Sequence, residues 1–482
     1  MSDVDHEGDG LAQAFERGGG EGVAVAEAGW SAGGEGNGHG RTVGQGPGRT
    51  VGGSSGRRLS RSERRPAGSD RAARRTHADG CEPPSAGILA RMDRDERTAT
   101  ATDEREPRAR IGIVGTGAIF PIYARGLAWY GDLPIVRVAD VAVERAREQA
   151  AAHGIPAGGT VEELLADPDV DVVVNITPPT AHFPVTRDAL AAGKHVYVEK
   201  PLAASSELAR ENLAQAEAGG RALGAAPDTF LGTAGATARA AIDGGMIGTP
   251  FAATSFVRSS RVEAWHPNPA FFFAPGGGPV LDWGPYHVAA LVNLLGPIAE
   301  VVGATTVPTP QITVTAPKRT VDAVDVTVPT TATAIMRTAS GVLITALYSF
   351  DVWDTTLPHI EIYGTEGTLL LPDPNHHDRP VMVKRREDTP MERVPWEPAP
   401  WRELPPVIPP TRDDSPKQFR GHGVSDLVDS LAGAPLRASA QFALHVLEVL
   451  EAMERATLAD GPQRIADGAT RPEPVAQPTA AH

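Results

Sequence analysis

A short apolar segment of the chain carries three side chains that could move a proton. In GGGPVLDWGPYHVAALVNLLGP, residues 276–297, Asp282, Tyr286 and His287 stand at the start of a predicted helix. Residues four apart on a helix share a face, so Asp282 and Tyr286 can point the same way. Tyr286 and His287 are about 100° apart around the axis, so only one of them can face a given atom. We expect Tyr286 to be the base, and His287, whose reference pKa is about 6.5, is the alternative.

A tyrosine needs help to act as a base, and Lys200 is placed to give it. The reference pKa of a phenol is about 10, and a nearby ammonium favours the phenolate. Lys200 lies in VEKPLA (198–203), just after a predicted buried strand. The carboxyl ends of parallel strands form the edge where ligands bind in open α/β sheets. Tyr286 and Lys200 therefore form a plausible proton relay, and the alternative is a purely structural role for both.

The first predicted strand ends in a turn suited to a hydride-accepting cofactor. Gly115 and Gly117 follow the strand at 111–115 and open a helix, as in a dinucleotide-binding turn, although Phe120 replaces the third glycine of the fingerprint. Asp140 ends the second strand, where an acid bonds the adenosine ribose hydroxyls. The carboxylate would repel a 2′-phosphate and no arginine directly follows it, so we expect NAD rather than NADP.

The order of predicted elements indicates two domains. Residues 108–230 alternate short apolar strands with helices, which predicts a doubly wound, α/β Rossmann domain with a parallel sheet. Residues 231–460 predict an α+β domain with an open, mostly antiparallel sheet and a last helix over residues 439–456. An uncovered apolar sheet face needs a partner, so we expect a homodimer or homotetramer through this sheet.

The composition of the chain and of its two ends indicates which partners and which cellular location to expect. Residues 1–107 predict a disordered, low-complexity tail, and residues 461–482 predict a flexible one. The net charge of −15 argues against a nucleic-acid partner, and no apolar run is long enough for a membrane helix. A single cysteine, Cys81, and an N-terminus without a signal-peptide core lead us to expect a cytoplasmic protein.

Five motifs, taken in order, resemble one enzyme family. They are IGIVGTG, VNITPPTAH, EKP, GGGPVLDWGPYH and IEIYGTEGTL, and together they resemble the glucose-fructose oxidoreductase/inositol dehydrogenase family, Gfo/Idh/MocA, over residues 110–456. The resemblance implies that Lys200 lies beside the substrate hydroxyl and the nicotinamide, and that Asp282 holds a substrate hydroxyl. It also implies that Tyr286, where many relatives have histidine, exchanges the proton.

Further residues are expected around these sites. His182 is either a cofactor residue or only a helix cap, and His266 either lines the substrate pocket or packs its loop. The remaining expected cofactor residues are Ala118, Ile119, Thr177, Pro178 and Glu199, and the other expected substrate residue is Trp283. We expect no metal, because the adjacent His376 and His377 beside Asp378 rarely converge on one ion.

The sequence therefore predicts an NAD(P)-dependent oxidoreductase that acts on CH–OH donors. Its substrate would be a small molecule, with a secondary alcohol or ketone in a sugar, polyol or related cyclic compound. Two alternatives stay open: an enzyme that uses NAD transiently for redox-neutral glycoside cleavage, and a non-catalytic NAD-binding regulator.

Overall fold

The computed structural model describes residues 106–259, 261–388, 400–410, 419–466 and 468–476. The predicted tail at 1–107 therefore lies outside the described residues except for its last two. Among the described residues, no helix is both long and apolar enough to cross a bilayer.

The N-terminal half is built on a six-stranded sheet in which all strands run parallel. The strands are β1 (Ile111–Val114), β2 (Ile135–Ala139), β3 (Ala157–Gly159), β4 (Val172–Asn175), β5 (His195–Val198) and β6 (Leu223–Ala225). Their order, β3-β2-β1-β4-β5-β6, reverses direction between β1 and β4. In doubly wound sheets, ligands bind at the carboxyl ends of the strands beside such a reversal.

Five helices connect these strands. They are α1 (Phe120–Tyr130), α2 (Val143–Ala152), α3 (Val161–Ala166), α4 (Pro179–Ala191) and α5 (Ser206–Gly219). Local side chains fix where two of them begin: Thr160 and Glu163 form a reciprocal capping box on α3, and Ser205 caps α5. The predicted α/β class with a Rossmann sheet is confirmed.

The C-terminal half carries a nine-stranded, mostly antiparallel sheet of order β16-β15-β14-β13-β7-β12-β11-β8-β17. Its strands are β7 (Pro250–Arg258), β8 (Ile298–Thr306), β11 (Thr331–Thr338), β12 (Leu343–Ser349), β13 (Ile360–Gly364), β14 (Gly367–Leu371), β15 (Met382–Arg385), β16 (Arg402–Glu403) and β17 (Gln463–Arg464). A separate hairpin pairs β9 (Gln311–Thr313) with β10 (Ala323–Asp325). The sheet is mixed, because β7 and β12 run parallel.

Helices cover one face of this sheet. Those that contact its strands are α6 (Thr233–Asp243), α8 (Gly278–Asp282), α9 (Gly284–Leu295) and α11 (Ala440–Arg455). The short helix α7 (Val262–Trp265) precedes α8, and α10 (His422–Leu431) contacts β5 and β6 of the N-terminal sheet instead. Helix α9 is buried along its whole length and contacts β7, α6 and α11. On the other face, β11 alternates buried and exposed residues, and Ile335 and Leu343 stay 53% and 51% exposed. The predicted open sheet is therefore present.

The end of the chain returns to the N-terminal half. Helix α11 contacts both α5 and β6, and the Ala225 amide donates to the Ala438 carbonyl at 2.9 Å. Within the segment predicted to be a flexible tail, 461–482, the described residues Gln463 and Arg464 form β17, which pairs with β8. In addition, Arg471 donates to the Leu294 carbonyl at 2.6 Å, which holds this segment on α9.

Candidate active site

A lysine from the N-terminal half meets a carboxylate from the C-terminal half. Lys200, just after β5, donates from Nζ to Asp282 Oδ1 at 2.8 Å and to the Asp282 carbonyl at 2.6 Å. Burial opposes the charge of Lys200, but Asp282, helped by Tyr286 and Glu199, outweighs it and raises the pKa of Lys200 above its ordinary value. The ammonium therefore stays protonated throughout the neutral range.

Tyr286 lies against this ion pair, in the first turn of α9. The Lys200 ammonium is 5.4 Å from the centroid of the Tyr286 ring. The sequence predicted one helix through Asp282 and Tyr286, but the helix breaks at Trp283, and Asp282 is the last residue of α8. The break lets the Asp282 side chain face Lys200 independently of the α9 axis. The structure thus brings together the three residues predicted to be catalytic.

Arg420, which sequence reasoning missed, holds the tyrosine hydroxyl. Its guanidinium donates to Tyr286 Oη at 3.1 Å and to Asn375 Oδ1 at 2.9 Å, and it lies 5.5 Å from the Tyr286 ring centroid. Burial opposes the charge of Arg420, but Tyr286 and the carboxylates of Glu199 and Asp228 outweigh it and raise the pKa of Arg420. Tyr286 therefore lies between two permanent cations.

Glu199, predicted to bind cofactor, is buried beneath this cluster. Its Oε1 accepts from Tyr123 Oη at 3.0 Å, and its Oε2 accepts from the Lys200 amide at 2.7 Å. The Arg420 Nε lies 3.8 Å from Glu199 Oε1. Glu199 is 5% exposed, so the structure places it as a support for Lys200 and Arg420 rather than on the open surface.

His287, the alternative base, points away from Lys200 and into the core. It is fully buried, and its Nδ1 lies 2.9 Å from Ser255 Oγ on β7. Burial, with the charges of His359 and Arg258, holds the pKa of His287 well below its ordinary value. The 100° separation around the helix thus sends Tyr286 to the ion pair and His287 to the sheet.

The glycine turn after β1 leaves room for a dinucleotide. Gly115 has a φ of +103°, and a Cβ there would lie 2.8 Å from the Ile176 carbonyl oxygen. A Cβ on Gly117 would meet no atom of the described residues within 4 Å. Gly117 and Ala118 are exposed and Ile119 is half-buried, whereas Phe120, at the third fingerprint position, is fully buried. The turn is therefore open where a pyrophosphate would approach, and Phe120 serves the core.

Asp140 lies at the end of β2, as predicted, and four donors surround it. It accepts from the Thr116 amide at 2.7 Å, from Thr116 Oγ1 at 2.8 Å, from the Ala142 amide at 2.9 Å and from Arg145 at 2.6 Å. Burial would raise the pKa of Asp140, but Arg145 and the backbone amides lower it to about 2. Arg145, which lies beside the acid although it does not directly follow it in sequence, was not predicted to contact Asp140.

The loop after β4 is tied to the loop after β5 by His182. Its two ring nitrogens face the Pro201 carbonyl at 2.6 Å and the Thr177 carbonyl at 2.8 Å, and the side chain is 1% exposed. Thr177 is half-buried and Pro178 is exposed at the carboxyl edge of the sheet. His182 thus joins the two loops from below, while Thr177 and Pro178 remain at the surface.

The residues expected to contact substrate lie in and beside the aromatic loop before α8. His266 packs against Phe271 and Phe272 with ring centroids 5.1 and 5.4 Å away. Trp283 is half-buried and packs against the apolar residues of this loop. His376 and His377 point to different carboxylates: the His377 Nε2 lies 3.5 Å from Asp228 and the His376 Nε2 lies 3.8 Å from Asp373.

Comparison with known proteins agrees with this architecture. Residues 109–226 match the oxidoreductase family with an NAD-binding Rossmann fold, and residues 236–370 match the GFO/IDH/MocA C-terminal domain. The 1,5-anhydro-D-fructose reductase of Ensifer adhaerens is 34% identical over 177 residues, which are 36% of this chain and 52% of the reductase. This match spans about half the length of that relative.

Solved structures show the same fold. An NAD-binding oxidoreductase from Klebsiella pneumoniae superimposes with a TM-score of 0.64 at 24% identity, over 75% of this chain and 100% of that one. Levoglucosan dehydrogenase in complex with NADH and levoglucosan gives a TM-score of 0.62 at 20% identity, over 74% and 99% of the two chains. The two family matches, in the same order as the two halves of the structure and together covering more than half of the chain, show that it belongs to the GFO/IDH/MocA family of NAD-binding oxidoreductases.

Proposed function

We propose that this protein interconverts a secondary alcohol and a ketone in a sugar, polyol or related cyclic compound, with Tyr286 exchanging the proton. The observation that carries the proposal is the Tyr286 hydroxyl, which faces Arg420 while its ring faces the Lys200–Asp282 pair. The family match supports NAD as the cofactor. When bound, NAD supplies the hydride acceptor, and Gly117, Ala118 and Asp140 are the residues that would hold it.

Lys200 and Asp282 would orient the substrate. Asp282 takes two hydrogen bonds from the Lys200 ammonium, which has three N–H donors. The third donor is left for the substrate oxygen, where it favours negative charge as the hydroxyl proton departs. The carboxylate of Asp282 can accept from a second substrate hydroxyl, which suits a polyhydroxylated substrate.

Tyr286 would take the proton. Arg420 donates to the phenolic oxygen, so it stabilises a phenolate and leaves the oxygen free to accept a proton from the substrate. In the oxidation, the substrate O–H proton would go to Tyr286, and the hydride from the carbinol carbon would be taken up by NAD⁺ held by Gly117, Ala118 and Asp140. The products would be a ketone and NADH, and in the reverse reaction Tyr286 would return the proton.

A panel of sugars and polyols with NAD⁺, followed by the absorbance of NADH, tests the reaction. We expect Tyr286→Phe to lower kcat roughly 10²–10⁴-fold, because it removes the proton acceptor. Tyr363→Phe is the matched control, since the Tyr363 hydroxyl bonds Glu361 at 2.6 Å, within the same strand β13. Full activity in Tyr286→Phe would contradict the assignment. Glycoside turnover without net NADH would favour the redox-neutral alternative.

We also propose that the open face of the C-terminal sheet joins copies of the chain. Ile335 and Leu343 expose about half of their surface there, on adjacent strands that pair with each other. Burying such apolar side chains between two sheets removes them from water. Sedimentation of the protein and of a double Ile335→Lys, Leu343→Lys variant tests this, because the charges would dissociate an assembly formed through this face.

A further inference from the structure

Two histidines and a carboxylate meet between α9 and the nine-stranded sheet. His287, His359 and Asp373 each offer one ligand atom, and these atoms all lie within 4.8 Å of one another. The Nε2 of His287 and the Nδ1 of His359 are buried and have no hydrogen-bond partner among the described residues. An unpaired buried polar atom is unfavourable, so two of them in one cluster indicate a missing ligand.

Sheet register brings two of the ligands together. Ile360 opposes Leu371 in the pairing of β13 with β14. His359 directly precedes β13 and Asp373 comes two residues after β14, so both side chains lie at the same end of this hairpin. The His359 carbonyl accepts from the Phe256 amide at 2.8 Å, which fixes the backbone of His359 to the neighbouring strand, β7.

His287 is oriented as a metal-bound histidine usually is. A ligating imidazole commonly donates its other N–H to a protein acceptor, which fixes the ring and its tautomer. The Nδ1 of His287 lies 2.9 Å from Ser255 Oγ, which in turn lies 3.1 Å from the Tyr348 hydroxyl. With the proton on Nδ1, the lone pair of Nε2 is available for an ion.

We propose that His287, His359 and Asp373 bind a divalent transition-metal ion, with Zn²⁺ the best match. Two imidazole nitrogens and one carboxylate oxygen suit Zn²⁺ and related ions, whereas Mg²⁺ and Ca²⁺ prefer all-oxygen ligands. Zinc bonds of about 2.0–2.2 Å bring tetrahedral ligand atoms to roughly 3.4 Å apart. The cluster therefore has to contract by on the order of 1 Å, and a fourth ligand position remains.

Charged groups around the cluster affect how tightly it can bind a cation. The Asp373 carboxylate supplies negative charge, and its Oδ1 is held by the Asn375 amide at 2.9 Å. Arg258 on β7 acts electrostatically on both imidazoles, and its positive charge opposes a cation. We therefore expect Arg258→Gln to bind the ion more tightly than the wild type, an effect that a merely structural cluster would not produce.

The proposed site is connected to the candidate active site in two ways. His287 directly follows Tyr286 on α9. Asp373 is two residues from Asn375, whose side chain accepts from Arg420, and Arg420 donates to Tyr286. A bound ion would fix α9 against the segment after β14 without contacting the reacting atoms. Ion binding itself does not depend on the proposed function.

Metal titration of the tag-free, full-length protein tests the proposal. After treatment with a chelator, Co²⁺ is added and its visible absorption is followed, and Zn²⁺ is then used to displace it. We expect one equivalent of Co²⁺ to bind with the intense spectrum of a tetrahedral site. His359→Gln and Asp373→Asn should each weaken binding roughly 100-fold, because each removes a ligand at nearly constant volume.

His153→Gln is the control, because His153 is an exposed histidine outside the cluster. It should bind Co²⁺ as the wild type does. The proposal is overturned if the wild type binds no stoichiometric ion, or if both ligand variants bind as tightly as the wild type, which would mean an adventitious ion only. Neither readout uses oxidoreductase activity, so a failure here leaves the proposed reaction unaffected.

Discussion

Replacing Arg420 by lysine tests whether this arginine acts on the chemistry of Tyr286. The guanidinium donates to Tyr286 at 3.1 Å and to Asn375 at 2.9 Å, and Glu199 lies 3.8 Å from its Nε. Lysine keeps the positive charge that Glu199 needs, but it replaces three guanidinium nitrogens with one. In the arginine, Nη2 donates to both Tyr286 and Asn375, while the separate Nε faces Glu199. A single ammonium that stays beside Glu199 cannot also reach the Tyr286 hydroxyl. The variant therefore removes the contact with the tyrosine while the buried charge stays paired.

The size of the effect follows from the kind of hydrogen bond that is lost. A bond to a charged group contributes about 1.5–3 kcal/mol. If Arg420 stabilises negative charge on Tyr286 during alcohol oxidation, kcat/KM falls roughly 10- to 150-fold.

Steady-state NADH formation at one fixed pH measures this effect, with thermal unfolding as the check on folding. Arg437→Lys is the matched control, since Arg437 is a half-buried arginine that is also paired with a carboxylate, Asp426. We expect this control to keep the wild-type rate. An Arg420→Lys enzyme within threefold of the wild-type rate would show that Arg420 only supports the fold.

Three further predictions concern the cofactor turn, cofactor choice and stability. Gly117→Ala should raise the KM for NAD⁺ roughly tenfold with an unchanged Tm, because the added Cβ would contact none of the residues that the structure describes. Gly115→Ala should instead lower Tm, because the φ of Gly115 is +103°. Asp140→Asn should shift the ratio of kcat/KM values toward NADP⁺ roughly tenfold, since Arg145 is freed to bind a 2′-phosphate. Burial and Glu451 raise the pKa of Glu454 to about 7. Between the ordinary pKa of a glutamate, about 4.5, and this raised value, the folded state keeps the Glu454 proton while the unfolded state has lost it. The contribution of Glu454 to the free energy of unfolding is therefore fully present below about pH 4.5 and is lost as the pH rises through 7. Urea unfolding should show that the wild type loses about 1–3 kcal/mol of unfolding free energy between pH 5 and pH 8. The Glu454→Gln variant should not show this loss.

Each of these measurements has an outcome that contradicts its reasoning. A lower Tm in Gly117→Ala would mean that the turn is packed rather than open. An unchanged preference in Asp140→Asn would mean that Arg145 does not reach the ribose. Equal pH slopes for the wild type and Glu454→Gln would mean that this carboxyl titrates normally.

The N-terminal fold could be predicted because the sequences of most of its strands are recognisable one by one. Four of the six contain runs of valine and isoleucine between helical segments, which is the pattern of a sheet covered on both faces. The edge strand β3 was missed, because Ala157–Gly159 has no branched or aromatic side chain and pairs only through its backbone with β2.

The candidate site was predictable only in part. Spacing within one segment placed Asp282 near Tyr286 and turned His287 away from it, because helix geometry is local. Arg420 lies 134 positions after Tyr286 in the chain. It belongs to no motif that can be seen in the sequence. His359 and Asp373 reach His287 through sheet register, which a single sequence does not specify. Arg145 is much closer in sequence to its partner. It lies on α2, and its side chain reaches back to the carboxylate of Asp140.

Because the C-terminal part of the chain packs on the N-terminal sheet, the N-terminal half cannot simply be expressed as a fragment. The outer edge of β6 is paired by Ala438 and Ser439, and α11 lies across both halves. A fragment that ends near residue 230 would leave that strand with free amides and bare apolar surface, and we expect it to aggregate. Any fragment that represents the nucleotide-binding half would therefore have to keep Ala438 and Ser439 against β6.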